Sequence, residues 1–528
     1  MTIADGQGPV RESAVGGSGA EGRSLRRAAR GSILTLTGSA VAAVAGFALT
    51  LAITRLSSQD QAGLFFSATS LFLLAIGLAR LGTQTSLVYF ISRGRSRGRP
   101  DLARPYMRTA ALPVLLVSVL VGLGLFVGAE ALGRWLSPEM SADFARWMRV
   151  LAVAVPVAAV ANLALAGTQG LGTMKALALV EQVGRPLGQL LLVGVVLVWL
   201  GDPGLLPTAW AIVYVPVAAI AWWWWHRLAR PAPTEDVGAT VRSLTRPFWA
   251  FSTPRALAAV TQTAMQRFDI VLVGALAGLA EAAIYTAATR FLVLGQIAGR
   301  ALSLSIQPLL GEALARHDRA VARSLYQVVT AWLVLGTWPL YLVFINHASW
   351  ALEIFGDGYS EAAPALVLLS CVMLVATACG MVDMVLNMAG RSLWNLLNVV
   401  VAFGVNLGLD LWLIPQWGFM GAAIGWAAAI TTNNLLPLAQ VAREPGIHPF
   451  GRQTLSAMGT ATLLFGVLPA VASAVAGNGH GVSLAVLCLA AALYAVALVL
   501  ARRHWHLTLL VTAVRRRRRS RREGPPGT

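Results

Sequence analysis

The run Gln61 to Arg80, QAGLFFSATSLFLLAIGLAR, is written again as Glu281 to Arg300, EAAIYTAATRFLVLGQIAGR, at a constant spacing of 220 residues and without a gap. Ala62 falls on Ala282, Phe65 on Tyr285, Ala68 on Ala288, Thr69 on Thr289, Leu74 on Leu294 and Arg80 on Arg300. Each copy is an apolar helical run with an arginine well inside it. A hydrophobic unit that occurs twice, each time with a buried cation, restricts the chain to a duplicated helical bundle in a membrane.

The rest of the composition agrees. The chain has 528 residues, 57% of them hydrophobic and 12% charged, with a mean hydropathy of +0.67. That apolar excess is too large for a soluble core and describes an all-α polytopic membrane protein. The net charge of +18 rests on arginine, since Lys175 is the only lysine. Because the arginines sit in short loops and tails between apolar spans, the basic balance points to cytoplasmic loops and anionic lipid, and not to nucleic acid. Cys371, Cys379 and Cys488 all fall inside apolar spans, with no disulfide or metal-ligand spacing. No P-loop, no Ser, His and Asp set and no His-rich cluster is present, so no catalytic residue, cofactor or metal is expected. The first thirty residues lack an apolar stretch before a small-residue cleavage site, so the first span is expected to be retained.

Runs of about 20 apolar residues predict fourteen spans, near 31–54, 62–92, 107–132, 147–168, 175–200, 204–226, 247–276, 282–311, 322–346, 361–387, 391–414, 418–441, 453–476 and 482–502. The second, seventh and eighth exceed what a bilayer needs and imply tilt, kinking or extension past the lipid. Arginines fill the N-terminal tail, the second, sixth and eighth loops and the C-terminal run Arg515 to Arg519. The loops at 201–203, 280–281, 347–360, 416–418 and 477–481 carry none. This asymmetry predicts that both termini are cytoplasmic. Arg55 and the third loop, where Arg134 and Arg146 are offset by Glu139 and Asp143, are the exceptions.

The repeat continues past the opening stretch. Gly172 matches Gly390, Gly201 and Gly204 match Gly418 and Gly421, and Trp210 matches Trp426. The expected organisation is therefore a basic tail (1–30), a six-helix lobe (31–228), a polar linker (229–246), a second six-helix lobe (247–441), an added hairpin (442–502) and a polybasic tail (503–528). Six spans per copy is an even number, so the two lobes insert in the same orientation, related by an axis along the membrane normal.

The run LSSQDQAGLFFSATSLFLLAIGLARLGTQ, its echo LAEAAIYTAATRFL and the later segments IFGDGYSEAAPALVLLS, NMAGRSLWN and NLGLDLWLIPQWGFMGAAIGWAAA resemble the polysaccharide-transporter branch of the multidrug, oligosaccharidyl-lipid and polysaccharide (MOP) flippase superfamily. The resemblance covers roughly residues 30 to 441. It implies a V-shaped, MATE-like pair of lobes in a bacterial inner membrane. It also implies that the cargo is an undecaprenyl-pyrophosphate-linked oligosaccharide, moved to the outer leaflet for an exopolysaccharide, O-antigen or capsule-type polymer, with polymerase or glycosyltransferase partners.

An ionisable group inside a span costs several kcal/mol unless it is paired or hydrated, so these groups are the candidate site. Arg80 and Arg300 are expected to face a water-filled cleft, where guanidinium forks would hold a pyrophosphate; the alternative is snorkelling to the headgroups. Lys175, Arg185, Arg255 and Arg267 join them as substrate-binding candidates. Glu181 and Arg185 form an i, i+4 pair that can neutralise itself. Asp269, Asp383 and Glu181 are the candidates for ion coupling. Arg290 reads as an interface anchor, because it follows the arginine-free loop at Glu281. The expected activity is transport by alternating access with no bond made or broken. A cation-coupled multidrug exporter of the same superfamily and a flippase for the peptidoglycan lipid precursor stand as alternatives.

Overall fold

The computed structural model describes residues 17–229, 237–443, 446–477 and 479–507. The side chains of residues 17–33 and 237–241, and of several residues between 294 and 309, Arg300 among them, lie outside the description. So do most of the polar linker and the basic tails expected from the sequence.

The described residues form helices α1 (Gly17–Leu56), α2 (Gln59–Ala79), α3 (Thr83–Ser96), α4 (Ala103–Val127), α5 (Ala129–Leu136), α6 (Ser141–Gly170), α7 (Arg185–Val195), α8 (Leu206–Ile212), α9 (Tyr214–Leu228) and α10 (Val237–Leu276). They continue as α11 (Leu279–Ala315), α12 (Arg319–Asn346), α13 (Ala348–Glu353), α14 (Ala363–Ala378), α15 (Val382–Met388), α16 (Ser392–Trp417), α17 (Phe419–Arg443), α18 (Arg452–Ala461), α19 (Leu468–Ala476) and α20 (His480–Leu500). Wider π-helical turns at Leu177–Gly184 and Val196–Leu200 flank α7.

Eleven segments of the described residues are long and apolar enough to cross a membrane, against the fourteen spans expected. The three remaining expected spans exist as helices of 40, 37 and 25 residues, α10, α11 and α17. Their mean hydropathy is lowered by Arg267 and Asp269, by Arg290, and by Asn433 and Asn434. Membrane helices that carry so much polarity must turn it inward, and all three supply walls of the central cavity.

The repeated stretch is the centre of the bundle. α2 is the most enclosed of the eleven spans, 78% of its apolar window being buried, and it packs on α6 and on both α10 and α11. Its start is fixed by Ser58 and Gln61, which cap one another's backbone N–H groups. The two copies of the repeat touch: a Cβ on Gly63 of α2 would overlap the Leu279 carbonyl oxygen at the head of α11. Only glycine permits that approach.

Glycines matched by the repeat share an unusual backbone. Gly172 and Gly390 have φ of 86° and 79°, and Gly201 and Gly418 have φ of 64° and 56°, conformations that cost other residues energy. The copies diverge where the arginines fall. The expected span 62–92 is broken after Arg80, with Leu81 at φ 49° and Gly82 at φ 68°, and α3 starts afresh at Thr83. A Cβ on Gly82 would stand 2.6 Å from the Ala256 nitrogen and 2.7 Å from the Ser252 carbonyl oxygen, so this turn is pressed against α10. By contrast α11 runs through Arg300 without interruption. Arg80 therefore ends a helix while Arg300 lies inside one. The expected span 361–387 breaks similarly, at Gly380 with φ 71°. The expected linker is shorter than 229–246, because Val237 already belongs to α10.

The added segment α18 to α20 packs on α12. Trp332 Nε1 donates to the Trp505 carbonyl oxygen at 2.7 Å, and Trp505 Nε1 to Ser456 Oγ at 2.9 Å.

Candidate functional site

A cavity of about 440 Å³ opens between α1, the π-helical lead into α7, α10, α11 and α17. Arg185, Arg267 and Arg290 reach it from three different helices. Helical periodicity accounts for one of these walls. Gln182, Arg185 and Gln189 are three and four residues apart, which puts them on one face, while Leu187 and Leu191 take the opposite, lipid side.

Arg185 is held from several sides. Its Nε donates to Glu181 Oε1 at 2.9 Å and its Nη1 to Gln189 Oε1 at 3.1 Å, and the guanidinium lies 5.6 Å from the Tyr214 ring centroid. Gln189 in turn donates to the Trp210 carbonyl oxygen at 3.3 Å. Arg267 and Arg290 differ: neither forms an ion pair among the described residues, Arg290 has Arg267 as its charged neighbour, and Arg267 has Arg185. The Nε of Arg290 is out of contact with water and has no hydrogen-bond partner. Like charges that line one cavity repel each other, and an anion between them relieves that repulsion. A phosphate or pyrophosphate supplies that anion with oxygens in the geometry a guanidinium fork matches.

Beside the arginines stands a pair of buried acids. Tyr285, the counterpart of Phe65 in the repeat, donates from its hydroxyl to Asp269 Oδ2 at 3.0 Å. Asp410 of α16 accepts from Asn406 Nδ2 at 2.9 Å, and its carboxyl lies within hydrogen-bonding reach of Asp269. Asp410 Oδ1 has no partner, and a Cβ on Gly425 of α17 would overlap it. Two neighbouring carboxylates repel each other unless a proton or a cation lies between them.

The expected site residues separate into groups. Arg185, Arg267 and Asp269 line the cavity, with Glu181 behind Arg185. Arg80 does not line it; it caps α2 among Glu181, Arg185 and Tyr214, its Nε unpartnered. The side chain of Arg300 lies outside the described residues. Arg255 is exposed, its guanidinium 3.4 Å from the Phe251 ring centroid. Lys175 is exposed at the loop before the π-helical segment, and Asp383 is exposed in the first turn of α15. Neither borders the cavity.

Arg290 was expected at the interface and is instead a cavity residue. It stands eleven residues into α11, about 16 Å along the axis, which is half the hydrocarbon thickness. That arithmetic was available in the sequence. Asp410 had a signal too, an acid four residues after Asn406 inside a membrane helix, and Asp269 was already a candidate, but nothing in the sequence paired the two.

This bundle of long apolar helices with charged residues turned inward defines a multi-pass helical membrane protein. The signature of the polysaccharide biosynthesis protein family matches residues 28–312, more than half of the chain, and the chain belongs to that family. The fold is that of the MOP superfamily. The chain superposes on a lipid II flippase, MurJ, in an inward closed conformation with a TM-score of 0.69, 11% identity and coverage of 89% of this chain and 98% of that one. An inward-facing multidrug resistance MATE family transporter matches at TM-score 0.58 and 15% identity, covering 79% of this chain and 98% of that one. A MOP superfamily transporter from Pyrococcus furiosus, described by a reverse polarity of its binding pocket, matches at 0.52 and 16%, covering 79% and 95%. No curated protein sequence matches the chain.

Proposed function

We propose that this polysaccharide biosynthesis transporter is a flippase. It moves a polyprenyl-pyrophosphate-linked sugar across the bacterial inner membrane, from the cytoplasmic to the outer leaflet, for a surface polymer such as exopolysaccharide, O-antigen or capsule. Both termini are cytoplasmic, and the six-helix lobes at 31–228 and 247–441 rock about the cavity in alternating access. The observation that carries this reading is the pair Arg267 and Arg290, which line the cavity and form no ion pair among the described residues. A cationic wall of this kind binds a pyrophosphate and repels the cationic compounds a multidrug exporter would take.

Arg185 completes the anion site, with Glu181 as its fixed counter-ion. Arg80, behind that pair, adds positive potential without touching the cargo. The polyprenyl tail stays in the bilayer while the pyrophosphate and sugar cross inside. Asp269 and Asp410 form the coupling site, because a proton or cation bound between them would change the charge facing Arg267 as the lobes move. Asp383 has no part in this. Glycosyltransferases that build the lipid-linked sugar and polymerases that consume it are the expected partners, and anionic lipids meet the arginine-rich face.

The test is deletion of the gene followed by analysis of lipid-linked sugars and surface polymer. Loss of polymer with accumulation of the lipid-linked sugar on the cytoplasmic leaflet is expected. Unchanged polymer with new sensitivity to cationic drugs would establish the exporter reading instead. A flippase for the peptidoglycan precursor has the same cavity chemistry and is separated by asking whether the gene restores growth to cells depleted of their lipid II flippase.

A further inference from the structure

The cavity walls carry a second set of groups that an anion does not satisfy. Gln182, Gln266 and Gln296 line the cavity from three helices, with Ser39 of α1 and the Trp426 indole of α17. None of the three amides has a hydrogen-bond partner among the described residues, in contrast to Gln189, which is tied to Arg185 and the Trp210 backbone. Gln182 is kept close to α1 by Gly38, on which a Cβ would stand 3.0 Å from the Gln182 Cβ. Its Oε1 is out of contact with water and accepts nothing. A buried amide oxygen without a partner costs free energy, less than an unpaired charge does but enough to favour a hydrogen-bonding ligand.

Their chemistry differs from that of the arginines. A guanidinium only donates, which suits phosphate oxygens; an amide both donates and accepts, which suits hydroxyls. The indole adds a flat apolar face, on which the C–H face of a pyranose packs. The spacing is ordered as well. Gln182 precedes Arg185 by three residues, and Gln296 follows Arg290 by six. On α11 that is a helical rise of about 9 Å from Arg290 to Gln296. α7 and α11 run in opposite directions through the bundle, so both glutamines lie on the same side of the arginines. Gln266 precedes Arg267 on α10 and lines the same cavity.

Resting on the flippase reading, we propose that Gln182, Gln266 and Gln296 with Trp426 form a separate subsite. It reads the hydroxyls of a neutral pyranose, the first sugar attached to the pyrophosphate. The arginines then set that the cargo is a pyrophosphate, and the amides set which sugar is carried. A uronic acid in that place would have called for another cation, and the subsite supplies none.

The test uses the full chain in nanodiscs, with binding measured by native mass spectrometry. The probes are undecaprenyl pyrophosphate and its glucosyl, galactosyl and N-acetylglucosaminyl derivatives. Wild type is expected to bind at least one glycosylated probe about tenfold more tightly than the bare pyrophosphate. Gln182→Leu with Gln296→Leu, and separately Trp426→Leu, should abolish that difference while leaving the affinity for the bare probe unchanged. Equal binding of all four probes by wild type overturns the subsite and leaves the flippase reading standing, as does an unchanged preference in the variants. Failure of wild type to bind even the bare pyrophosphate overturns the reading on which the subsite rests. Because the wild-type comparison needs no variant, poor folding of a leucine variant does not remove the test.

Discussion

Arg55, at the end of α1, donates from Nε to the carbonyl oxygen of Ile354 at 2.6 Å, just past the end of α13 and 299 residues away in sequence. Its Nη2 reaches the Glu353 carbonyl oxygen at 2.8 Å, and Gln59 Nε2 donates to the Asp357 carbonyl oxygen at 3.1 Å. A cation at the carboxyl end of a helix is well placed, since the last carbonyls are otherwise unpaired. These bonds clamp the two sequence halves at one end of the bundle. Arg55→Ala should favour the conformation open at that end. With about 1 kcal/mol lost at an exposed position, the population should shift roughly fivefold, read by spin-label distances between α1 and α13. An unchanged distance distribution would remove the clamp.

Gly63→Ala forces α2 off α11, because the new methyl group meets the Leu279 carbonyl oxygen. Overpacking of this kind costs about 1 to 3 kcal/mol, and the melting temperature in detergent should fall accordingly. Gly404→Ala is the control: nothing lies within 4 Å of the Cβ it adds, and removing a helical glycine should leave stability equal or slightly higher.

Arg267→Gln and Arg290→Gln should each weaken binding of undecaprenyl pyrophosphate at least ~30-fold, from the loss of about 2 kcal/mol per desolvated charged contact. The same changes should raise the thermal stability of the ligand-free protein, since each removes a buried charge that lacks a partner. Arg255→Gln and Lys175→Gln, both at exposed positions, should leave binding unchanged. Loss of binding in the exposed pair with none in the cavity pair would invert the assignment.

Asp269→Asn and Asp410→Asn should each abolish the dependence of transport on a proton or sodium gradient, measured in proteoliposomes with an imposed gradient. Tyr285→Phe removes one hydrogen bond to Asp269 and should weaken the dependence without eliminating it. Asp383→Asn should transport as wild type does. Gradient dependence that survives both Asp269→Asn and Asp410→Asn would place the coupling elsewhere.

His347, between α12 and α13, has its affinity for a proton lowered by burial, and its Nε2 has no partner. The unfolded chain binds the proton more readily, near the ordinary value of about 6.5. The contribution of His347 to stability is therefore complete above that value and is lost as the pH falls towards its lower folded value. Melting temperatures between pH 8 and pH 5 should drop less in His347→Gln than in wild type.

Much of the fold was legible in the chain. The repeat spacing located α2 and α11, and the matched glycines at 172 and 390 and at 201 and 418 were already aligned before their positive φ angles were known. Apolar runs predicted fourteen spans; eleven segments of the described residues are long and apolar enough to cross a membrane, and α10, α11 and α17 are helices despite their polarity. The break after Arg80 was not legible. Leu81 takes a positive φ there because Gly82 presses on α10, a contact between segments some 170 residues apart.

The site was half legible for the same reason. Sequence identifies Arg80, Arg300, Arg185, Arg255, Arg267 and Lys175 as costly cations and places Arg290 at the interface, and hydropathy treats all of them alike. Local periodicity decides which residues share a face, and the fixed geometry of the helix makes that reading dependable. What the face looks onto depends on helices far away in the chain. Tertiary packing put Arg290 beside Arg267, set Asp410 against Asp269, turned Arg80 behind the wall, and left Asp383 and Arg255 outside. The amino-acid sequence determined that this chain is a duplicated bundle in a membrane with cations inside it, because the cost of exposing backbone and charge to lipid admits few solutions. Only the tertiary structure decided which cations face the cavity at the centre and which acids meet one another, because those distances arise between helices and are written in no single segment.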